Sequence, residues 1–422
     1  MQPRFSAIAV CAVAALTLAS CATGKEPSPS SSPPTVIATP PSSSVSATAS
    51  PAPPGQAVLT PVVGTVLAPS VPVPATDGKV HLAYELELTN TLQQEVTLTS
   101  LAAVAGDKTL LSLSGDGLAY WTRALGGSTP TTKLGPSQTG LVWLDVALDK
   151  ASGLPTDISH SIGLTVPQPQ PPMVPATITE TIAPTKVDTS RKPVTIAPPL
   201  NGPSWVAGGS CCGMSAHRMA VNPLNGQLWA PERFAIDYVQ LTPDGRMFVG
   251  DRTKVESYPY YGADIHAVAD GPVVAVVDNL PDQVPGTNPA GLPLDQYGGN
   301  HIVQDIGGGN YAFYAHLKPG SIKVKVGDKL TAGQTVAALG NSGNTSAPHL
   351  HFQVMSTPDP LLSDGLPFVY DKFRLDSRVA SDDALNQLED TGGPVQLQTG
   401  FPGGDQSGVM PLDLDVMTYP AR

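Results

Sequence analysis

The stretch Gly299–Val354 reads GNHIVQDIGGGNYAFYAHLKPGSIKVKVGDKLTAGQTVAALGNSGNTSAPHLHFQV, and its reading decides the fold. It alternates short apolar runs with Gly-rich turns, the pattern of a β-rich domain. In a strand, side chains two apart share a face. "PHLHFQV" therefore presents His349 and His351 to one side, and "YAFYAHL" places Tyr314 and His316 on a common face. Of two such imidazoles, one can bind a metal while its neighbour handles protons. Upstream, "ERFAIDY" gives a third piece, with Arg233, Ala235 and Asp237 on one strand face. Asp, Glu and His are the ligands of a catalytic zinc, which keeps one position open for water.

Together these motifs resemble the core of the lysostaphin-like, or LytM-type, peptidoglycan metallo-endopeptidases, over roughly residues 217–358. The resemblance implies a duplicated hybrid motif fold, whose turn pattern "VKVGDKLTAGQTVAALGNSG" is shared with lipoyl and biotinyl carriers. In that family zinc is held by the His and Asp of a His-x-Gly-x-Asp motif and by the second His of a His-x-His motif. Carried over, Asp237 and His351 become metal ligands, while His349 and His316 become the pair that activates water and stabilises the transition state. The implied substrates are peptidoglycan stem or cross-link peptides, cleaved by metal-assisted hydrolysis.

The departure lies in the first motif, where Arg233 stands for His and Ala235 for Gly. A guanidinium keeps its proton and has no lone pair for a metal. Its expected partner is Asp237, in a charge-assisted pair that substitutes for the ion and leaves a silent cleft. "SCCGMSAH" offers Cys211, Cys212 and His217 as alternative third ligands. The plainer expectation makes His217 an exposed loop residue and the adjacent cysteines either a vicinal disulfide or free thiols. His266 and His301 are read as structural.

The rest of the chain sets the surroundings. The N-terminus "MQPRFSAIAVCAVAALTLASCATG" has one positive charge, an apolar stretch and then small residues, an export signal over residues 1–20. "LASC" resembles the lipobox of bacterial lipoproteins, making Cys21 a lipidation site and placing the protein at the outer side of the cytoplasmic membrane, in the periplasm or in the cell wall. Residues 21–56 form a Pro/Ser-rich tether, with 18 of the 30 residues from Glu26 to Gly55 being Pro or Ser. Such composition buries too little apolar surface to order itself. In an extended polyproline state it reaches on the order of 100 Å, far enough to touch the wall.

Residues 57–200 hold alternating segments such as "LAYELELTN", with Leu82, Tyr84, Leu86 and Leu88 on one face and Ala83, Glu85, Glu87 and Thr89 on the other. Their spacing predicts a β-sandwich, and they resemble a bacterial immunoglobulin-like domain. His81 and His160 stand there as solitary structural residues, and the region is read as a spacer or protein-binding module. Residues 201–375 form the peptidase-like domain, with "LPDQVPGTNPAGLPLDQY" as a loop beside its groove, and residues 376–422 an appendage. The whole is mostly β, for Pro numbers 45 and Gly 41, and charged residues make up only 14% against a usual figure of about 25%. A net charge of −12 without any basic run excludes nucleic acid as the main partner. Three functions follow: a degenerate cleft that binds wall peptides or a wall-remodelling protein partner, an active zinc endopeptidase, or a purely structural envelope lipoprotein. Arg233 favours the first.

Overall fold

The computed structural model describes residues 58–421. The predicted export signal, Cys21 and the tether lie outside the described residues. Within them the chain is mostly β, and the longest α-helix is the ten-residue Asp382–Thr391.

The strand Lys79–Asn90 shows why the first region folds as it does. Leu82, Tyr84, Leu86 and Leu88 alternate into one apolar core, as period two requires. Thr139–Asp149 pairs antiparallel with it in unbroken register, from Lys79 opposite Asp149 to Thr89 opposite Thr139. Val62–Val66, Val73–Pro74 and Thr122–Ala124 complete that sheet. A second antiparallel sheet runs Thr177–Lys186, Asp157–Thr165, Val96–Ala105, Lys108–Ser114, with Lys133–Leu134 also paired to Val96–Ala105. Its Leu98, Leu101, Ile158, Ile162 and Leu164 fill the same core.

The other face of Lys79–Asn90 is not left to solvent. Ala83 is 1% exposed and Glu85 fully buried, and Ala83 packs into the core of the region that follows. The strand is thus covered on both sides. Neither His81 nor His160, expected to be solitary, stands alone. His81 lies between Asp145 at 2.9 Å and Asp77 at 3.2 Å, and His160 bonds the Tyr84 hydroxyl at 3.0 Å and the Ala183 carbonyl at 3.1 Å.

The second region is an eleven-stranded antiparallel sheet. Its order is Lys329–Leu330, Gly271–Val277, Asn300–Asp305, Tyr311–Leu317, Leu350–Met355, Ile236–Gln240, Gly202–Gly208, Asp415–Tyr419, Phe373–Arg378, Gly404–Gln406, with Gly365–Leu366 also on Leu350–Met355. The C-terminal segment read as an appendage is part of this sheet, because Asp415–Tyr419 pairs directly with Gly202–Gly208. Val416, Met417 and Tyr419 share its core. The helix Asp382–Thr391 begins at Ser381, whose Oγ accepts the Ala384 N–H at 3.2 Å, and ends at Gly392 in the left-handed region. Leu385 and Leu388 carry its buried side.

Candidate metal centre

Four adjacent strands lay one row of residues across the sheet. Register sets Ala315 opposite His351, His351 opposite Asp237, and Asp237 opposite Gly208. Directly opposed residues bring their Cβ atoms within about 5 Å, so strand pairing alone joins Asp237 to His351. His351 Nδ1 lies 2.9 Å from Asp237 Oδ1, and its Nε2 lies 2.8 Å from Gln353 Oε1. Gln353, two residues on, shares the strand face and can hold the ring from behind.

His217 enters from the short helix Ala216–Met219. Ser215 caps that helix, accepting the Arg218 N–H at 3.2 Å and donating to the Gly209 carbonyl at 3.0 Å. His217 Nδ1 donates to the same carbonyl at 2.9 Å. This leaves Nε2 facing Asp237 Oδ2 at 3.3 Å, an ion-pair distance without the alignment of a hydrogen bond. Gly209 has φ +64°, and a Cβ there would sit 2.6 Å from His217 Nδ1, so glycine is required on both counts. Gly209→Ala is expected to displace the ring and weaken zinc binding by about tenfold or more, as read by chelator competition.

His217, Asp237 and His351 are buried and bring their ligand atoms within 4.8 Å of one another. The rear nitrogen of each imidazole is engaged, by a backbone carbonyl for His217 and by Gln353 for His351, which aims the front nitrogens at a common point. Two imidazoles and a carboxylate are a donor set that suits zinc with a fourth position open. The residues present therefore fit the ion.

His349 and His316 flank this cluster. His349 Nδ1 donates to the Ala347 carbonyl at 2.8 Å, and its Nε2 lies 3.4 Å from Asp237 Oδ1. His316 Nδ1 donates to the Ser342 carbonyl at 2.8 Å, and its ring centroid is 4.7 Å from that of His349. The expected common face of Tyr314 and His316 does not hold. Tyr314 is in the core, accepting from Val268 N–H and donating to Gln304 Oε1, whereas His316 lines a cavity together with Phe313 and Ala315. His316 has φ +58°, which breaks strand alternation at this residue. Such strained backbone clusters at functional sites.

That cavity, about 520 Å³, runs from His316 and His351 to Phe313, Leu361 and the loop residues Asp295 and Tyr297. The loop over residues 280–297 thus lies beside the groove, in line with the sequence pattern. His301, read as structural, also lines the cavity, with Nδ1 bonded to the Gly299 carbonyl at 2.8 Å.

Two expectations are corrected. Arg233 does not pair with Asp237. It sits on the turn at residues 231–234, ahead of the strand Ile236–Gln240, and that turn carries its side chain off the strand face. There Nε donates to Glu85 Oε2 at 2.8 Å, Nη2 contacts the same oxygen, and Nη1 donates to the Gly365 carbonyl at 3.4 Å. His217 is not an exposed loop residue but is 1% exposed. Cys211 and Cys212 form a vicinal disulfide within the core, one of the two states expected of them, so neither offers a thiolate.

Charge at the cluster follows from burial and proximity. Burial opposes ionisation of Asp237, yet His217 and His349 beside it hold its carboxyl well below the usual range. Burial likewise opposes charge on His217, but Asp237 lifts it to about 9. Burial, with His349 and His351 nearby, pushes His316 well below the ordinary imidazole value. A cation entering between His217 and Asp237 displaces a proton that His217 holds below about pH 9. Apparent zinc affinity is therefore expected to fall as the pH is lowered from 9 toward about 6, measured by chelator competition across a pH series.

Comparison with known proteins gives matches to part of the chain. Residues 257–362 match Peptidase family M23, a span that holds His316, His349 and His351 but neither Asp237 nor His217. The chain is 34% identical over 113 residues to the glycyl-glycine endopeptidase ALE-1 of Staphylococcus capitis, covering 26% of this chain and 29% of that protein. It is 35% identical over 65 residues to the peptidoglycan DD-endopeptidase ShyA of Vibrio cholerae, covering 15% of each. Among solved structures, a catalytic-domain variant of the prophage-encoded M23 protein EnpA from Enterococcus faecalis is similar at 20% identity, covering 40% of this chain and 93% of that one, with a TM-score of 0.25. The chain thus spans less than a third of the length of these curated relatives.

Proposed function

We propose that this chain is a zinc metallo-endopeptidase that hydrolyses peptide bonds in peptidoglycan stem or cross-link peptides, with His217, Asp237 and His351 holding the ion. The observation that carries the reading is His217, which completes a set of two imidazoles and one carboxylate although Arg233 has left the motif. The silent-cleft expectation rests on the Arg233 guanidinium beside Asp237, and that guanidinium instead pairs with Glu85.

Zinc, when bound, polarises a carbonyl and lowers the pKa of water. The chain's own residues do the rest. His316 and His349 each have Nδ1 committed to a backbone carbonyl, so Nε2 is the atom each presents to the reaction. His316, on the cavity wall, is placed to take a proton from the attacking water at Nε2. His349 is placed to hold a developing oxyanion with a proton at Nε2. Phe313, Tyr297 and Leu361 give the peptide an apolar wall, and about 520 Å³ is room for a short peptide segment.

The sandwich is proposed as immunoglobulin-like, and Cys21 with the tether as a lipid anchor that holds the enzyme outside the membrane and within reach of the wall. A diacyl anchor contributes about 0.8 kcal/mol per buried CH₂. A wall-remodelling protein remains a proposed partner. The relatives' names point to two bond types, glycyl-glycine and DD cross-links, so the test supplies both. Purified full chain is expected to carry about one zinc per molecule and to generate a new amino end in one of two muropeptide sets, with glycine bridges or with direct cross-links, read by mass spectrometry. Metal-free chain that binds wall material without cutting either set would restore the silent-cleft reading.

A further inference from the structure

His217 and Arg218 are neighbours on one four-residue helix, and both are 1% exposed. Their side chains serve opposite sides. His217 faces Asp237, while Arg218 reaches the N-terminal sandwich. Arg218 Nη2 lies 3.4 Å from the Tyr84 carbonyl and 3.3 Å from the Leu144 carbonyl, two residues directly opposed on Lys79–Asn90 and Thr139–Asp149. Its Nη1 donates to the Cys212 carbonyl at 3.0 Å, and its Nε lies 3.5 Å from Glu85 Oε1. One guanidinium thus spans two sandwich strands and ties back to the loop that leads into its own helix. The planar fork of donors fixes direction in a way that a single ammonium does not.

A helix of four residues cannot hold itself, because nucleation costs more than one turn returns. Apart from the Ser215 cap, tertiary contact decides where this helix lies. Asp237 and His351 are set differently, within strands paired on both sides. His217 is therefore the ligand whose position depends on a seat outside the sheet.

We propose that Arg218 is a positioning residue for the metal centre, and that Tyr84, Leu144 and Glu85 of the sandwich form its seat. The sandwich is then part of the frame of the site rather than a spacer. This inference rests on the reading of His217 as a ligand. Arg233 supplies the internal control, because it binds the same Glu85 carboxylate but anchors the turn ahead of a strand already held by its neighbours.

The test compares full-length Arg218→Gln, Arg218→Lys, Arg233→Gln and His217→Ala chains. Zinc affinity is read by chelator competition, and the ligand set by the visible absorption of the cobalt(II) form. Arg218→Gln is expected to weaken zinc by about 10- to 100-fold and to change the cobalt band, while Arg233→Gln stays within about threefold of the parent. Arg218→Lys keeps a cation opposite Glu85, serves as the second variant should Arg218→Gln fail to fold, and is expected to show the same loss. Equal losses in the Arg218 and Arg233 variants would reduce the effect to interface stability and overturn the proposal. Parent affinity and an unchanged cobalt spectrum in Arg218→Lys would overturn it as well. If His217→Ala loses metal while the Arg218 variants do not, only the positioning role fails. If His217→Ala keeps parent affinity, the ligand assignment fails and takes this inference with it.

Discussion

His217→Ala is expected to weaken zinc binding by about 10²- to 10³-fold and to abolish hydrolysis at ordinary zinc levels. Structural zinc binds with roughly 10 to 16 kcal/mol over four ligands, so one imidazole contributes on the order of 3 to 4 kcal/mol, and each 1.4 kcal/mol is a factor of about ten. The neighbouring donors do not replace it. Cys211 and Cys212 are joined to each other, and His349 Nε2 already faces Asp237 from the flank at 3.4 Å. The sharper form of the experiment adds Arg233→His to His217→Ala. Motif spacing alone says that this should restore a ligand. The structure says that it should not, because the side chain at 233 leaves the turn toward Glu85 rather than toward Asp237. Recovery of zinc in the double variant, measured by metal analysis after dialysis, would mean that the turn at residues 231–234 can swing its side chain into the cluster.

Much of this site is legible in the sequence itself. Asp237, His351 and His349 lie on or beside strands whose alternation the sequence declares, and pairing brings the first two together without help from side chains. His316 is legible as a motif residue, yet its left-handed backbone is not, because strand periodicity carries no sign of a local reversal. His217 is read from the sequence as an alternative third ligand, with an exposed loop position as the plainer expectation, for a different reason. A side chain supplied from a separate short helix has no fixed spacing to the residues it meets, and only Ser215, as a cap, hints that the segment is ordered. Gln353 is within reach, two residues past His351 on one face. Arg233 misleads because its motif suggests a partner within its own domain, whereas the group that answers it lies on a strand of the sandwich. Glu85 falls on the polar face of "LAYELELTN", and alternation cannot separate a face turned to water from one covered by another domain. The C-terminal strands are hidden because they are short, and join the sheet only through a partner far away in sequence, Gly202–Gly208.

Removing Glu85 should therefore cost more than any surface carboxylate. Its side chain is fully buried and answers two buried guanidinium groups, Arg233 with aligned hydrogen bonds and Arg218 at 3.5 Å. Deleting one partner of a buried ionic group strands the others, at about 3 to 5 kcal/mol, and Glu85→Ala is expected to lower unfolding stability by that much in denaturant titrations at pH 7. Burial alone would raise the Glu85 carboxyl, but Arg233 and Arg218 outweigh it and hold the value below the ordinary 4.5. A depressed folded value means that the stabilisation is fully present above about 4.5 and is lost as the pH falls through the folded value. The gap between parent and Glu85→Ala should accordingly be flat from neutral pH down to about 5 and shrink at lower pH. Adding Arg233→Met to Glu85→Ala removes one stranded cation and should return part of the loss. If the single variant is as stable as the parent at pH 7, the guanidinium groups find water or other partners when Glu85 is gone, and the sandwich is held to the C-terminal region without the Glu85 ion pairs.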